Sequence, residues 1–398
     1  MRLRAWIAAA ALLACPGPAR AQEALEAVVP ILDMPVVDGE VVEERLVEGD
    51  SVLVDAPPPD AAAVTETTSL AGTLADCLDA CFSGVAGQDP FLVVDSVFLQ
   101  RDNATNNQPI AVHDVRGGVD TVLTSRRLRY DTAPGVRLLY GVRGADGLGW
   151  EAGYLGVYGM FADADVVDPN GITVPGALGS NVPGFGAAQR LRPKYFSTLN
   201  VAEVNALLTE RSRHGDLSER LPWDRCPHVR TTDLIGGFFW AGLDESASLG
   251  ITPPGAATTS YDVATTSNLF GAQLGVRRRT EWERFALEGT FKAGVAGSFL
   301  SASADPITTP LAPGIVYRDS RSLRTTSAGL LSTITITAIY RLNETWGLRA
   351  GYNMAWLSGL ALAPNQWDFT DTSTSGTTLH GAGGLFLQGA SLGLEARW

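Results

Sequence analysis

The chain closes on Gly389-Ala390-Ser391-Leu392-Gly393-Leu394-Glu395-Ala396-Arg397-Trp398, an alternation without a break. Ala390, Leu392, Leu394, Ala396 and Trp398 fall on one face, and Gly389, Ser391, Gly393, Glu395 and Arg397 on the other. A period of two belongs to an extended strand, because successive side chains of a strand point to opposite sides. One side is oily and the other polar. The stretch predicts a strand set between two media.

Working back along the chain, the pattern recurs. Trp346, Leu348, Ala350, Tyr352, Met354 and Trp356 share a face, with Gly347, Arg349, Gly351, Asn353 and Ala355 between them. Ten residues separate the two tryptophans. At about 3.3 Å per residue and a tilt near 40° they stand roughly 25 Å apart along a membrane normal, the height of an outer-membrane apolar band. Phe285 to Val295 places Phe285, Leu287, Phe291 and Val295 opposite Glu288, Thr290 and Lys292. Phe270 to Arg277 sets apolar residues against Gln273 and Arg277, and Ile334 to Arg341 sets them against threonines. Val136 to Val142 alternates with Arg137 and Arg143, and Leu148 to Tyr154 with Glu151. Phe91 to Gln100 and Leu234 to Leu243 are weaker strands. Phe196 to Leu208 reads as a strand, although Val201 to Arg211 would also suit a helix.

Composition agrees with an all-β class. Apolar residues make up 45% of the chain but are scattered in alternating runs, and 43 glycines leave no long segment of helical period. No stretch approaches 18 uninterrupted apolar residues, so no membrane-crossing helix is expected.

The front end reads as an export signal over 1–21. Arg2 and Arg4 precede an apolar run from Ala5 to Ala14, and Ala19-Arg20-Ala21 offers a small-x-small cleavage site. Leu12-Leu13-Ala14-Cys15 is a competing lipoprotein box. Residues 22–90 hold 15 acidic residues and one basic residue, Arg45, which accounts for the net charge of −13 and leaves the body near neutral. This Val, Ala and Pro rich stretch reads as a flexible periplasmic leader, and the barrel is assigned to 91–398. Cys77, Cys81 and Cys226 have neither zinc-site nor thioredoxin spacing, and their pairing is open.

Short turns are expected at 143–147, 278–283 and 342–344, and long Gly, Pro, Ser and Thr loops at 101–133, 161–193, 244–267, 298–326 and 358–383. That alternation is the connectivity of an antiparallel up-and-down transmembrane barrel, with ten strands the best count and eight to fourteen allowed. The 23-residue connection at 209–231 breaks the pattern, since it stands where a short turn belongs. Alternation alone does not say which face looks inward, because a soluble barrel or sandwich has the same period. Aromatics at the ends of the oily face, a Gly, Thr and Arg rich polar face, and the terminal Trp398 favour lipid outside.

The runs Phe91-Leu-Val-Val-Asp-Ser-Val-Phe-Leu-Gln-Arg-Asp-Asn103, Pro134-Gly-Val-Arg-Leu-Leu-Tyr-Gly141, Gly149-Trp-Glu151, Asn268-Leu-Phe-Gly-Ala-Gln-Leu-Gly275, Lys292-Ala-Gly294 and Leu385 to Trp398 resemble the outer-membrane β-barrel porin family known as β-barrel porin seven. The resemblance covers 91–398. It implies an outer-membrane barrel; a pore is implied only through the fold.

No phosphate loop, nucleophile elbow, HExxH or dinucleotide fingerprint is present. His113, His214, His228 and His380 fall in expected loops or at their edges, so catalytic, cofactor and metal sites are all expected to be absent and the chain is read as no enzyme. Function is sought in the lumen instead, where Arg137, Glu151, Gln273, Arg277, Glu288, Lys292, Arg349, Asn353, Glu395 and Arg397 would project. They could line a hydrophilic channel or pair and hold a narrow barrel shut. Trp346, Tyr352, Trp356 and Trp398 are the expected membrane-interface aromatics. The reading is an outer-membrane porin-like passive channel for small solutes. A non-conducting surface barrel is the alternative, and a secreted or lipidated soluble β-sandwich the third class. Expected partners are outer-membrane lipid and, through the last strand, the barrel-assembly machinery. A homo-oligomer is compatible with the chain and nucleic acid is not expected.

Overall fold

The computed structural model describes residues 88–115, 118–214 and 228–398. The export signal, the lipoprotein box, nearly all of the acidic leader, and Cys77, Cys81 and Cys226 lie outside them.

Ten long strands make the fold: β1 (Gln88–Arg101), β2 (Thr132–Gly144), β3 (Leu148–Asp163), β4 (Ala188–His214), β5 (His228–Thr252), β6 (Thr259–Glu281), β7 (Phe285–Ala304), β8 (Arg321–Arg341), β9 (Trp346–Leu360) and β10 (Gly383–Arg397). Each pairs antiparallel with the next, and β10 returns to β1 over Phe91↔Arg397 to Arg101↔Leu387. The ring is closed, so no strand edge remains to seek a partner. The ten strands expected from alternation are the ten observed, with β1 starting three residues before the expected boundary at Phe91.

Short turns join strands at one end. At β2–β3 the Gly147 amide closes on the Gly144 carbonyl at 3.1 Å, and Gly147 takes φ +84°, a conformation open to glycine and costly for residues with a Cβ. The segment Val201 to Arg211 is strand, not helix: it lies within β4, bonded to β3 and β5. The connection at 209–231 is also shorter than its sequence suggests. Strands β4 and β5 stay paired through His214↔His228, which leaves 215–227 outside the described residues.

Two of the expected long loops, 244–267 and 298–326, are largely strand. β5 runs to Thr252 and β6 resumes at Thr259, so 244–267 contains only a six-residue connection, and β4, β7 and β8 extend similarly. A strand of 25 residues such as β5 rises about 60 Å at a 40° tilt, more than twice the apolar height of an outer membrane. The extensions escaped detection because the side-chain pattern inverts. Lower on β5, Leu234, Phe238 and Trp240 face outward and Asp233 inward; higher up, Asp244, Ser246 and Ser248 face outward and Leu243, Ala247, Leu249 and Ile251 are buried inside. Polar residues outside and apolar residues inside suit a wall standing in water.

At the long-loop end a hairpin, Pro109–Val115 with Gly118–Thr124, bridges through Val112 to Thr173. The strand Val166–Ile172 lies along the upper edge of β4, and the short helix α1 (Gly176–Asn181) follows it. A two-strand piece pairs Ile307–Thr308 with Val316–Arg318. His113, His214 and His228, expected in loops or at their edges, stand in strands. His113 meets Asp168 at 2.9 Å, while His228 is buried beside Trp282.

Candidate functional site

The interior is built in three layers. Near the short turns, inward positions of all ten strands carry charge or hydrogen-bonding groups, and these groups pair across the lumen. Arg143 on β2 donates to Asp233 on β5 at 2.7 Å, and Arg277 on β6 donates to Glu151 on β3 at 2.7 Å. Glu151 also accepts from the Asn205 amide at 3.1 Å, and Gln273 Nε2 donates to Asn205 Oδ1 and Glu203 Oε2, both at 2.7 Å. Lys292 completes this group by donating to Glu203 Oε2 at 2.6 Å.

A second group centres on Glu395. Its carboxylate accepts from Arg279 Nη2 at 2.6 Å and Arg349 Nη1 at 2.7 Å, with Arg397 Nε 3.4 Å away. Arg349 also reaches Glu288 at 3.2 Å, and Arg341 and Arg397 meet Glu281 at 2.5 and 3.4 Å. Asp95 on β1 accepts from Arg137 Nε at 2.9 Å, and Arg137 Nη1 donates to Asn353 Oδ1 at 2.8 Å. Such forked arginine–carboxylate contacts are directional, so the network fixes which strands stand opposite one another.

Above the charges lies an apolar layer. Val97, Leu99, Leu199, Phe239, Leu243, Leu269, Leu331, Leu357 and Leu387 are all buried and project into one cluster. A third layer is a segment of chain. At Gly359, φ +75° and a kink in the β9–β10 register turn the backbone inward, where a Cβ would stand 2.2 Å from the Ala328 carbonyl oxygen. Ala361, Leu362, Ala363, Asn365 and Trp367 then fill the barrel, all buried. The Ala363 amide donates to Glu245 Oε2 at 2.9 Å, and Ala361 N–H to Ser267 Oγ at 3.0 Å. Trp367 Nε1 donates to the Tyr261 carbonyl at 3.2 Å, and the Asn106 amide to Asn365 Oδ1 at 2.7 Å. Glu245 is itself paired with Arg101, which donates to Ser197 at 2.7 Å and stacks 4.6 Å from the Tyr130 ring centre. Burial of the Tyr130 phenol pushes its pKa up. A buried ion pair in an apolar core is tolerated only with its hydrogen bonds supplied, and the inserted segment supplies one.

All ten lumen candidates point inward, and every one belongs to the two charged groups. Asp95, Arg143, Glu203, Asn205, Asp233, Arg279, Glu281 and Arg341 are further members that the ten candidates leave out. Their signal is parity: each is an even number of residues from an inward neighbour on its own strand, but in sequence part of β4 suits a helix equally and 278–283 reads as a turn. Arg101 and Glu245 stood in or beside expected loops. Outside, Trp346, Tyr352 and Trp356 are each more than two-fifths exposed and Trp398 nearly so. Tyr352 sits between the two tryptophans rather than at an edge and donates to Gln388 Oε1 at 3.0 Å.

The exposed apolar residues form a belt around the barrel, from Val94 and Phe98 on β1 to Leu392 and Leu394 on β10, with Phe238 and Leu274 both 74% exposed. A water-soluble surface does not carry such a continuous band.

No family model and no curated protein matches the chain. Among solved structures, it is similar to the outer membrane protease OmpT from Escherichia coli, at 10% identity over 79% of this chain and 97% of that one, with a TM-score of 0.43. It is also similar to a major outer membrane protein from Thermus thermophilus, at 12% identity over 78% and 99% with a TM-score of 0.29. The toluene transporter TodX of Pseudomonas putida gives 9% identity over 80% and 91%, with a TM-score of 0.25. At these values the architecture is read from the chain's own strand pairing.

Proposed function

We propose that this chain is a bacterial outer-membrane β-barrel, closed at rest, whose upper half stands as a rigid head above the lipid. The observation that carries the reading is the filled interior: charges bonded across the lumen, an apolar layer above them, and the inserted segment 361–367. The belt of exposed apolar residues supports lipid contact, and the inversion on the long strands supports a head in water. The short turns face the periplasm in this reading, and β10 carries the assembly signal. A porin-like passive channel is the competing reading, and it requires both the inserted segment and the charged layer to move aside.

Reconstitution in planar bilayers separates the two. The purified barrel is expected to give no steady channel steps at physiological salt and modest voltage. Reproducible conductance from heat-modifiable, folded protein would overturn the closed reading and restore the channel.

A further inference from the structure

Between the charged and apolar layers the packing leaves a cavity of about 120 Å³. Its roof is aliphatic, formed in part by Leu331, Leu357 and Leu387. Its floor is polar and unbalanced. Arg137, Arg277, Lys292 and Arg349 line it against only two carboxylates, Glu203 and Glu288. Three carboxylates that answer the arginines, Asp95, Glu151 and Glu395, are not in the lining. Asn353 also lines the space, is nine-tenths buried, and spends its carbonyl oxygen on Arg137 and Thr335; its Nδ2 has no hydrogen-bond partner among the described residues. An amide donor buried without a partner is costly, so such a group marks a place for an acceptor.

We propose that this cavity binds a short-chain carboxylate, with its head on the Asn353 amide, beside Arg137 and on the floor that Lys292 also lines, and its alkyl tail among the leucines above. The volume holds about eight water-sized atoms, which suits an acid of about four to six carbons. Water alone would satisfy the floor but not the aliphatic roof, and a neutral hydrocarbon would satisfy only the roof. A carboxylate joined to an alkyl chain meets both: its head takes the spare Asn353 N–H and faces a lining in which four cations, each held by a carboxylate, stand beside two carboxylates. The inference goes beyond the closed-barrel reading and does not depend on conductance.

The test is refolding of the full chain in detergent with ¹³C-carboxyl hexanoate present. Equilibrium dialysis against protein-free micelles of the same detergent then corrects for partition. One saturable equivalent is expected, with hexylamine and hexanol retained at least tenfold more weakly. Thr333→Phe fills the cavity from β8, beside Lys292 but replacing no charged residue, and should abolish retention, while Lys292→Met should weaken it about tenfold. Should Thr333→Phe lose its heat-shifted gel mobility, Ala355→Phe fills the same space from β9. Retention no greater than that of the amine or alcohol, or unchanged in a folded cavity-filling variant, would reveal micelle partition and overturn the proposal. Absence of any saturable component would leave the space to water and overturn it equally.

Discussion

Glu395 ties three strands together in the charged layer, accepting from Arg279 on β6 and Arg349 on β9 while sitting on β10 beside Arg397. Replacing both sides of a buried ion pair with matched apolar groups is often tolerated, but removing one side leaves charge without an answer. Glu395→Ala is therefore expected to cost about 3–5 kcal/mol, read as a lower urea midpoint for unfolding from detergent or lipid. A midpoint unchanged from the parent would remove Glu395 from the role of hub. At the rim, Asp368 accepts from the Thr370 hydroxyl at 2.6 Å, the Thr370 amide at 2.9 Å and the Gly376 amide at 2.7 Å. Burial alone would raise its carboxyl, but these bonds and the nearby Arg318 outweigh burial and hold it below its usual value. A carboxyl lowered in the folded state contributes stability that is complete above the unfolded pKa and fades as pH falls through the folded one. Amide exchange protection at Thr370 and Gly376 should thus persist at neutral pH and fade only as pH falls below the ordinary aspartate value of about 4. Protection extending unchanged into stronger acid would contradict that control.

Each of the longest strands crosses a boundary between media, and the crossing shows on its outward face. On β6 the outward residues Val276, Leu274, Ala272 and Phe270 give way to Asn268, Thr266, Ala264 and Asp262 as the chain is read backwards, while the inward set passes from Arg277 and Gln273 to Leu269 and Val263. Two substitutions on the same face of this strand therefore have different expected costs. Leu274→Arg puts a cation at the middle of the belt and should destabilise by about 2–4 kcal/mol in lipid. Ala264→Arg, ten residues along on the exposed upper wall, should stay within about 0.5 kcal/mol. Equal costs from refolding titrations into vesicles would place both residues in one medium and dissolve the boundary. The inversion also explains why the upper wall read as loop. Ser, Thr, Gly and Asp crowd its outward face, and exposed apolar residues there, such as Phe196 and Phe299, are too scattered to make an oily stripe.

Closure of the ring depends on how nearly β1 and β10 approach. A Cβ at Gly393 would lie 2.2 Å from both the Val94 carbonyl oxygen and the Asp95 carboxylate. Backbone cannot yield that distance without breaking the β1–β10 ladder, so Gly393→Val should prevent closure and remove the heat-shifted gel band. A normal shift in that variant would show that the seam has slack. Of the ten lumen candidates, each was legible from parity alone, since a strand's period of two assigns a side to every residue once one is known. Their partners were not, because Arg143 and Asp233, or Arg277 and Glu151, lie far apart in sequence and meet only across the closed ring. The segment 361–367 was less legible still: its small and apolar residues carry no strand or helix period, and only its bonds to Glu245, Ser267 and Tyr261 make it a filling. Alternation of residue types is a local property, and by itself it located the strands and sorted each strand's residues onto two faces, with ten the best of several allowed counts. Whether the lumen is open is decided by what reaches across it, and that depended on ring diameter, register and an inserted loop, which only the tertiary structure supplies.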